Sequence, residues 1–183
     1  MSSATPQRGE SDTPGGASRW LSPWKLPLAT AFAVVVGDQV TKYLIVANWK
    51  LGERTVVFPG FFNIVHFRNS GAAWGMFSGQ ALFLALFSIA ALVFIFARFQ
   101  ALIEGSRARA FALALITGGI VGNLIDRLHL GEVIDFLFFF YRSFRWPAFN
   151  IADSAITVGV TLFVITSLFS IGDPHPKRER AEA

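Results

Sequence analysis

The sequence predicts an all-α polytopic membrane protein with four transmembrane helices, a small extracytoplasmic β-strand pair or sheet, and a short amphipathic helix. Three observations predict it. Only 15% of the 183 residues are charged and 53% are hydrophobic, whereas soluble domains carry roughly 25% charged residues. Four apolar runs approach the ~20 residues needed to span a bilayer. The connection between the first two runs is rich instead in β-branched and aromatic residues. The twenty Phe exceed what a small soluble core can hide, and a mean hydropathy of +0.50 excludes disorder of the whole chain.

In chain order, residues 1–19 are rich in Ser, Gly, Pro and Thr and lack apolar periodicity, so a disordered cytoplasmic tail is expected. No apolar core with a small-residue cleavage site follows a basic start, as a secretory signal would require. Residues 20–172 form the membrane domain. Span one covers 26–49 and is broken by Asp38, Thr41 and Lys42. An external loop over 50–75 follows. In it, Val56-Val57-Phe58 and Phe61-Phe62-Asn63-Ile64-Val65-His66-Phe67 flank the turn signal Pro59-Gly60, predicting the strand pair. An open sheet edge cannot sit in hydrocarbon, so the pair belongs at the outer membrane surface. The short amphipathic helix is placed at 72–77. Span two, 76–97, is free of charge and ends at Arg98. Span three is uncharged over 110–125 and is long enough only with Asp126 and Arg127 included. Span four covers 149–171, interrupted only by Asp153, and 173–183 form a second cytoplasmic tail.

The net charge of +4 does not suggest a nucleic-acid partner, because Lys and Arg lie beside the apolar runs rather than in one stripe. Arg98, Arg107 and Arg109 crowd the short loop between spans two and three, which the positive-inside rule assigns to the cytoplasm. Four spans then put both termini there. Trp20, Trp24, Trp49 and Trp146 fall near span ends, where indoles favour the headgroup layer. With no cysteine, disulfides, thiol catalysis, thiolate metal sites and cysteine lipidation are excluded.

Polar residues inside spans are costly, so each is a functional candidate. Asp38 and Lys42 stand four apart, acid first, the favourable order for an intrahelical pair; they either brace the bundle or act directly. Gly118, Gly119 and Gly122 leave a side-chain-free stripe suited to close helix packing. Asp126 beside Arg127 reads as a structural ion pair. Asp135 has apolar neighbours on both sides just outside span three, and Asp153 follows Asn150 on the first turn of span four. Topology brings both acids to the outer interface. Two carboxyls in one partly apolar site cannot easily both ionise, the arrangement of an aspartyl hydrolase. The alternative is that Asp153 only caps span four while Asp135 pairs with Arg142 or Arg145. His66, His129 and His175 lack zinc-protease spacing. A Ser154–Lys42 pair is a further possibility. So is a small proton- or ion-coupled transporter, since intramembrane acids also mark ion paths, although no internal repeat is visible.

Five blocks, taken together, resemble the lipoprotein signal peptidase (signal peptidase II) family. They are Gly37-Asp38-Gln39-Val40-Thr41-Lys42, Asn69-Ser70-Gly71-Ala72-Ala73-Trp74-Gly75, Gly118-Gly119-Ile120-Val121-Gly122-Asn123-Leu124-Ile125-Asp126-Arg127, Gly131-Glu132-Val133-Ile134-Asp135-Phe136 and Phe149-Asn150-Ile151-Ala152-Asp153. The blocks keep the family order across nearly the whole chain; Trp74 stands where the family more often has Phe. The resemblance implies a bacterial inner-membrane aspartic endopeptidase with an outward-facing site. It implies that Asp135 and Asp153 are catalytic, and that Asp38, Lys42, Asn69, Gly71, Asn123, Asp126, Arg127 and Asn150 support the site or contact substrate or inhibitor. It further implies diacylglyceryl-prolipoprotein substrates cut just before the lipidated lipobox cysteine, contact with membrane lipids, inhibition by globomycin, and no metal or organic cofactor. A non-enzymatic lipoprotein-handling partner would share the groove but tolerate loss of either Asp.

Overall fold

The computed structural model describes residues 25–71 and 76–170. Four helices dominate it: α1 (Lys25–Asn48), α2 (Ala81–Ile103), α3 (Arg107–Leu130) and α4 (Ile151–Ser170). All four are long and apolar enough to cross a membrane. The tails at 1–19 and 173–183, Trp20, Trp24 and most of the expected helix at 72–77 lie outside the described residues. Met76 and Phe77, the end of that expected helix, stand in a turn.

α3 packs against all three other helices and is the axis of the bundle. Its glycines permit this. A Cβ on Gly118 would fall 2.7 Å from Val34 Cβ and 2.8 Å from the Ala31 carbonyl of α1. One on Gly119 would strike the Ala152 carbonyl of α4, and α4 returns the contact through Gly159 against the Ala112 carbonyl. Where no hydrophobic force drives helices together, such close backbone approach supplies the packing. The outward faces are apolar and open: Phe32 is 70% exposed, Leu82 73% and Phe169 79%. Outside a bilayer these side chains would be a liability; within one they are the lipid-facing surface.

Four strands form one antiparallel sheet in sequence order: β1 (Arg54–Phe58), β2 (Phe62–Asn69), β3 (Val133–Tyr141) and β4 (Phe144–Arg145). The expected strand pair is β1–β2, and the sheet extends it by two strands from the α3–α4 connection. Span three is also longer than its uncharged stretch. α3 continues through Asp126 and Arg127 until Gly131, whose φ of 71° and N–H bond to the Arg127 carbonyl end the helix. That left-handed conformation suits glycine because it has no Cβ. The chain enters β3 two residues later, which carries Asp135 directly off the end of α3. Span two is displaced relative to expectation: α2 starts at Ala81 and runs past Arg98 to Ile103.

Candidate active site

The polar residues of the bundle meet where α1, α3, the start of β3 and the start of α4 converge. Asp38, Lys42, Asn123, Asp126, Asp135 and Asn150 are all buried. Lys42 Nζ donates to Asp38 Oδ2 and Asp126 Oδ2, both at 2.8 Å, and to Asn123 Oδ1 at 3.0 Å. The Asp38–Lys42 pair is therefore real, and it is one side of a larger cluster. The expected Asp126–Arg127 ion pair is not formed. Consecutive residues on a helix point about 100° apart. Asp126 turns inward to Lys42, while Arg127 Nη2 donates to the Gly71 carbonyl at 3.2 Å.

The same network fixes the two acids. Asp126 Oδ2 accepts the Ile134 N–H at 3.1 Å, clamping the start of β3 to the end of α3. Phe149 bonds to β3 in both directions, its N–H to the Leu137 carbonyl at 3.1 Å and its carbonyl to the Leu137 N–H at 2.8 Å. The next residue, Asn150, is thereby held against Asp135. Its Nδ2 donates to Asp135 Oδ1 at 2.9 Å, and its backbone N–H to Asp153 Oδ2 at 3.3 Å. Asn150 Oδ1 accepts the Asp153 N–H at 2.9 Å, so the two residues form a reciprocal cap on α4. Asp38 Oδ1 satisfies the next free N–H of that helix, from Ala152, at 2.9 Å. The capping role considered for Asp153 is thus present together with its place beside Asp135.

Each acid has a second amide partner. Asn123 Nδ2 donates to Asp153 Oδ1 at 2.7 Å, and Asn69 Nδ2 to Asp135 Oδ2 at 3.1 Å. Gly71 N–H in turn holds Asn69 Oδ1 at 2.9 Å. Asp135 makes no ion pair with Arg142 or Arg145; its partners are amides because it lies inside the cluster, whereas both arginines are exposed. Burial, followed by the neighbouring Asp153 carboxylate, pushes the Asp135 carboxyl up to about 7. The Asn69 and Asn150 bonds and the Lys42 charge pull it down more weakly. A cleft of about 560 Å³ opens beside Asp135, walled also by Asn69, Ser70, Ser78, Phe138 and Arg145.

The ten residues that the resemblance assigned to the site come together here. Gln39 was missed: its Nε2 donates to Asp38 Oδ2, the Gly122 carbonyl and Asp126 Oδ1, at 3.1–3.2 Å. Its polarity within span one was the available signal. The backbone groups of Ile134, Phe149 and Ala152 had no sequence signal at all. Ser154 is not paired with Lys42, since its hydroxyl donates to the Asn150 carbonyl at 2.9 Å and the Lys42 ammonium is fully occupied.

Comparison with known proteins places the chain in a family. A family model described as signal peptidase (SPase) II matches residues 30–169. The lipoprotein signal peptidase of Bacillus subtilis strain 168 is 39% identical over 78% of this chain and 92% of its own. That of Staphylococcus aureus strain Newman is 41% identical over 82% of this chain and 90% of its own. Two solved structures, described as bacterial membrane enzymes obtained by the in meso method, superpose closely. One gives a TM-score of 0.75 at 37% identity, covering 85% of this chain and 94% of its own. The other gives 0.70 at 40% identity, covering 78% and 92%.

Proposed function

The chain belongs to the signal peptidase II family and is a multi-pass membrane peptidase; on that premise we propose that Asp135 and Asp153 are the catalytic dyad of an aspartic endopeptidase. Its substrates are diacylglyceryl-modified prolipoproteins, cut just before the lipidated cysteine. The observation that carries the reading is the attachment of both carboxyls to one residue, Asn150, through its amide and its backbone N–H. Among the described residues the acids of the spans, Asp38, Asp126 and Asp153, join one connected polar cluster, which favours this reading over a transporter.

The division of labour follows from the surroundings. Asp135, with its carboxyl held near neutrality, carries the proton. Asp153, the other acid of a pair that shares one proton, is then the carboxylate. A water between them loses a proton to Asp153 as its oxygen bonds to the scissile carbonyl carbon, while Asp135 protonates the carbonyl oxygen. The gem-diol then collapses: the C–N bond breaks, the leaving nitrogen takes the proton from Asp153, and a diol hydroxyl returns one to Asp135. Both acids end as they began. The site lies at the sheet end of the bundle. We place that end outside the cytoplasmic membrane, so the substrate's acyl chains stay in lipid while water reaches the bond. Lys42, Asp38, Asp126, Asn123 and Gln39 hold the acids, and Asn69, Gly71 and Arg127 tie in the loop that borders the cleft.

Detergent-purified protein should cleave a diacylglyceryl-modified prolipoprotein before the lipidated cysteine and be blocked by globomycin. Asp135→Asn and Asp153→Asn should each fold, insert and fail to cleave; near-normal cleavage by either ends the dyad assignment. Asp135 donates only while protonated, so kcat/KM should fall as pH rises through about 7.

A further inference from the structure

We propose that His66 is a positioning residue for the dyad: its ring, anchored on the Trp49 carbonyl, fixes the β-bulge that turns Asn69 toward Asp135. The inference rests on the dyad reading above. It begins with the register of β2 on β3. Ile64 pairs with Leu137, but the next pair is Phe67 with Asp135, so Val65 and His66 together oppose Phe136. One extra residue in a strand reverses the facing of everything after it. Counted without the bulge, Arg68 would stand diagonal to Asp135 and Asn69 would face away. With it, Asn69 reaches Asp135 Oδ2 at 3.1 Å, and Arg68 turns outward toward Glu132 at 3.9 Å. The bulge therefore decides whether an amide or a guanidinium meets the carboxyl.

His66 is the residue that secures it. A carbonyl can only accept, so Nδ1 carries the proton donated to the Trp49 carbonyl at 2.8 Å, at the end of α1. The backbone of the bulged residue is tied to the same connection: its N–H to the Glu53 carbonyl at 3.1 Å, its carbonyl to the Gly52 N–H at 2.8 Å. His66 is 4% exposed, and its Nε2 has no hydrogen-bond partner among the described residues. A residue chosen only to fill this space would not leave a buried nitrogen unpaired. The single Nδ1 bond from β2 to the end of α1 is what the histidine supplies.

The test uses the full chain and a diacylglyceryl-modified prolipoprotein. His66→Leu removes the anchor at similar volume. His66→Asn keeps an N–H close to the Nδ1 position. Asp135 is faced by Asp153 from α4, Lys42 from α1 and Arg127 from α3, none of which these variants change. The Asn69 bond favours the ionised carboxyl, so losing it should move the alkaline limb of the kcat profile upward. In His66→Leu we expect a shift of about one pH unit and a roughly tenfold lower kcat, with little change in KM. His66→Asn should restore both. Asn69→Ala should show the same shift, and the double variant no more than Asn69→Ala alone. A limb that does not move in folded His66→Leu, or shifts that add in the double variant, overturns the proposal. A wild-type profile with no limb near neutral pH, or activity retained in Asp135→Asn, would instead sink the dyad reading.

Discussion

Lys42 has three ammonium hydrogens and three acceptors, two of them carboxylates, in a place where water does not reach. Such a triad is no guarantee of stability compared with an apolar core, but removing one member leaves charge buried without a partner. Lys42→Met would strand Asp38 and Asp126 together. The expected cost is about 3–5 kcal/mol, read as a large fall in the thermal transition of the detergent-purified protein. Lys42→Met combined with Asp38→Asn should recover part of that loss, because one stranded charge is gone. A single variant as stable as the parent would mean that the cluster is held by its neutral amides alone. At this scale the sequence was legible where polarity stood against an apolar background: Asp38, Lys42, Asp135 and Asp153 all announced themselves that way. Partner choice was not legible. Asp126 sits beside Arg127 in the chain, yet helix geometry sends the two to different faces and gives Asp126 to a lysine on another helix.

Among the elements, the α3–α4 contact carries the most consequence for the site, because Asn123 on one helix holds Asp153 on the other at 2.7 Å. Gly119→Ala would drive a methyl into the Ala152 carbonyl and to within 2.7 Å of Ile156 Cγ1. The helices must part, at about 1–3 kcal/mol, and the Asn123–Asp153 bond should loosen with them. Activity is expected to fall more than stability does. Gly37→Ala is the matched control: nothing lies within 4 Å of its Cβ, so up to ~1 kcal/mol of helix stabilisation is expected with cleavage intact. Equal tolerance of both changes would show that α4 can move without disturbing Asp153. Four helices were readable because apolar runs of that length have few other homes. β4 and the hairpin that joins it to β3 were not. Their turn is Arg142-Ser143, without Gly, Pro or Asn, and Arg142 takes a φ of 54° that such residues usually supply. The strand run Val133–Tyr141 shows only as an apolar flank around Asp135.

At the scale of the whole molecule, function depends on which end of the bundle faces out. The sheet, the cleft and both acids lie at one end, and the short α2–α3 turn, with Arg107 and Arg109 on the first turn of α3, lies at the other. The positive-inside rule predicts the arginine end in the cytoplasm, since it weights short loops most. Charge bias elsewhere along the chain is modest, so the orientation rests on that loop. The absence of cysteine from the sequence makes a direct test simple, because any introduced thiol is labelled without background. Ser143→Cys places a thiol in the exposed β3–β4 turn, and Gln100→Cys places one on the exposed side of the α2 end. In intact bacterial cells or spheroplasts, a membrane-impermeant maleimide should label the first and reach the second only after permeabilisation. Both variants lie outside the polar cluster, so cleavage should persist and certify that each labelled protein is folded. The opposite labelling pattern would put the acids on the cytoplasmic side. The dyad chemistry would survive that result, but a substrate presented from the outer face of the membrane would not.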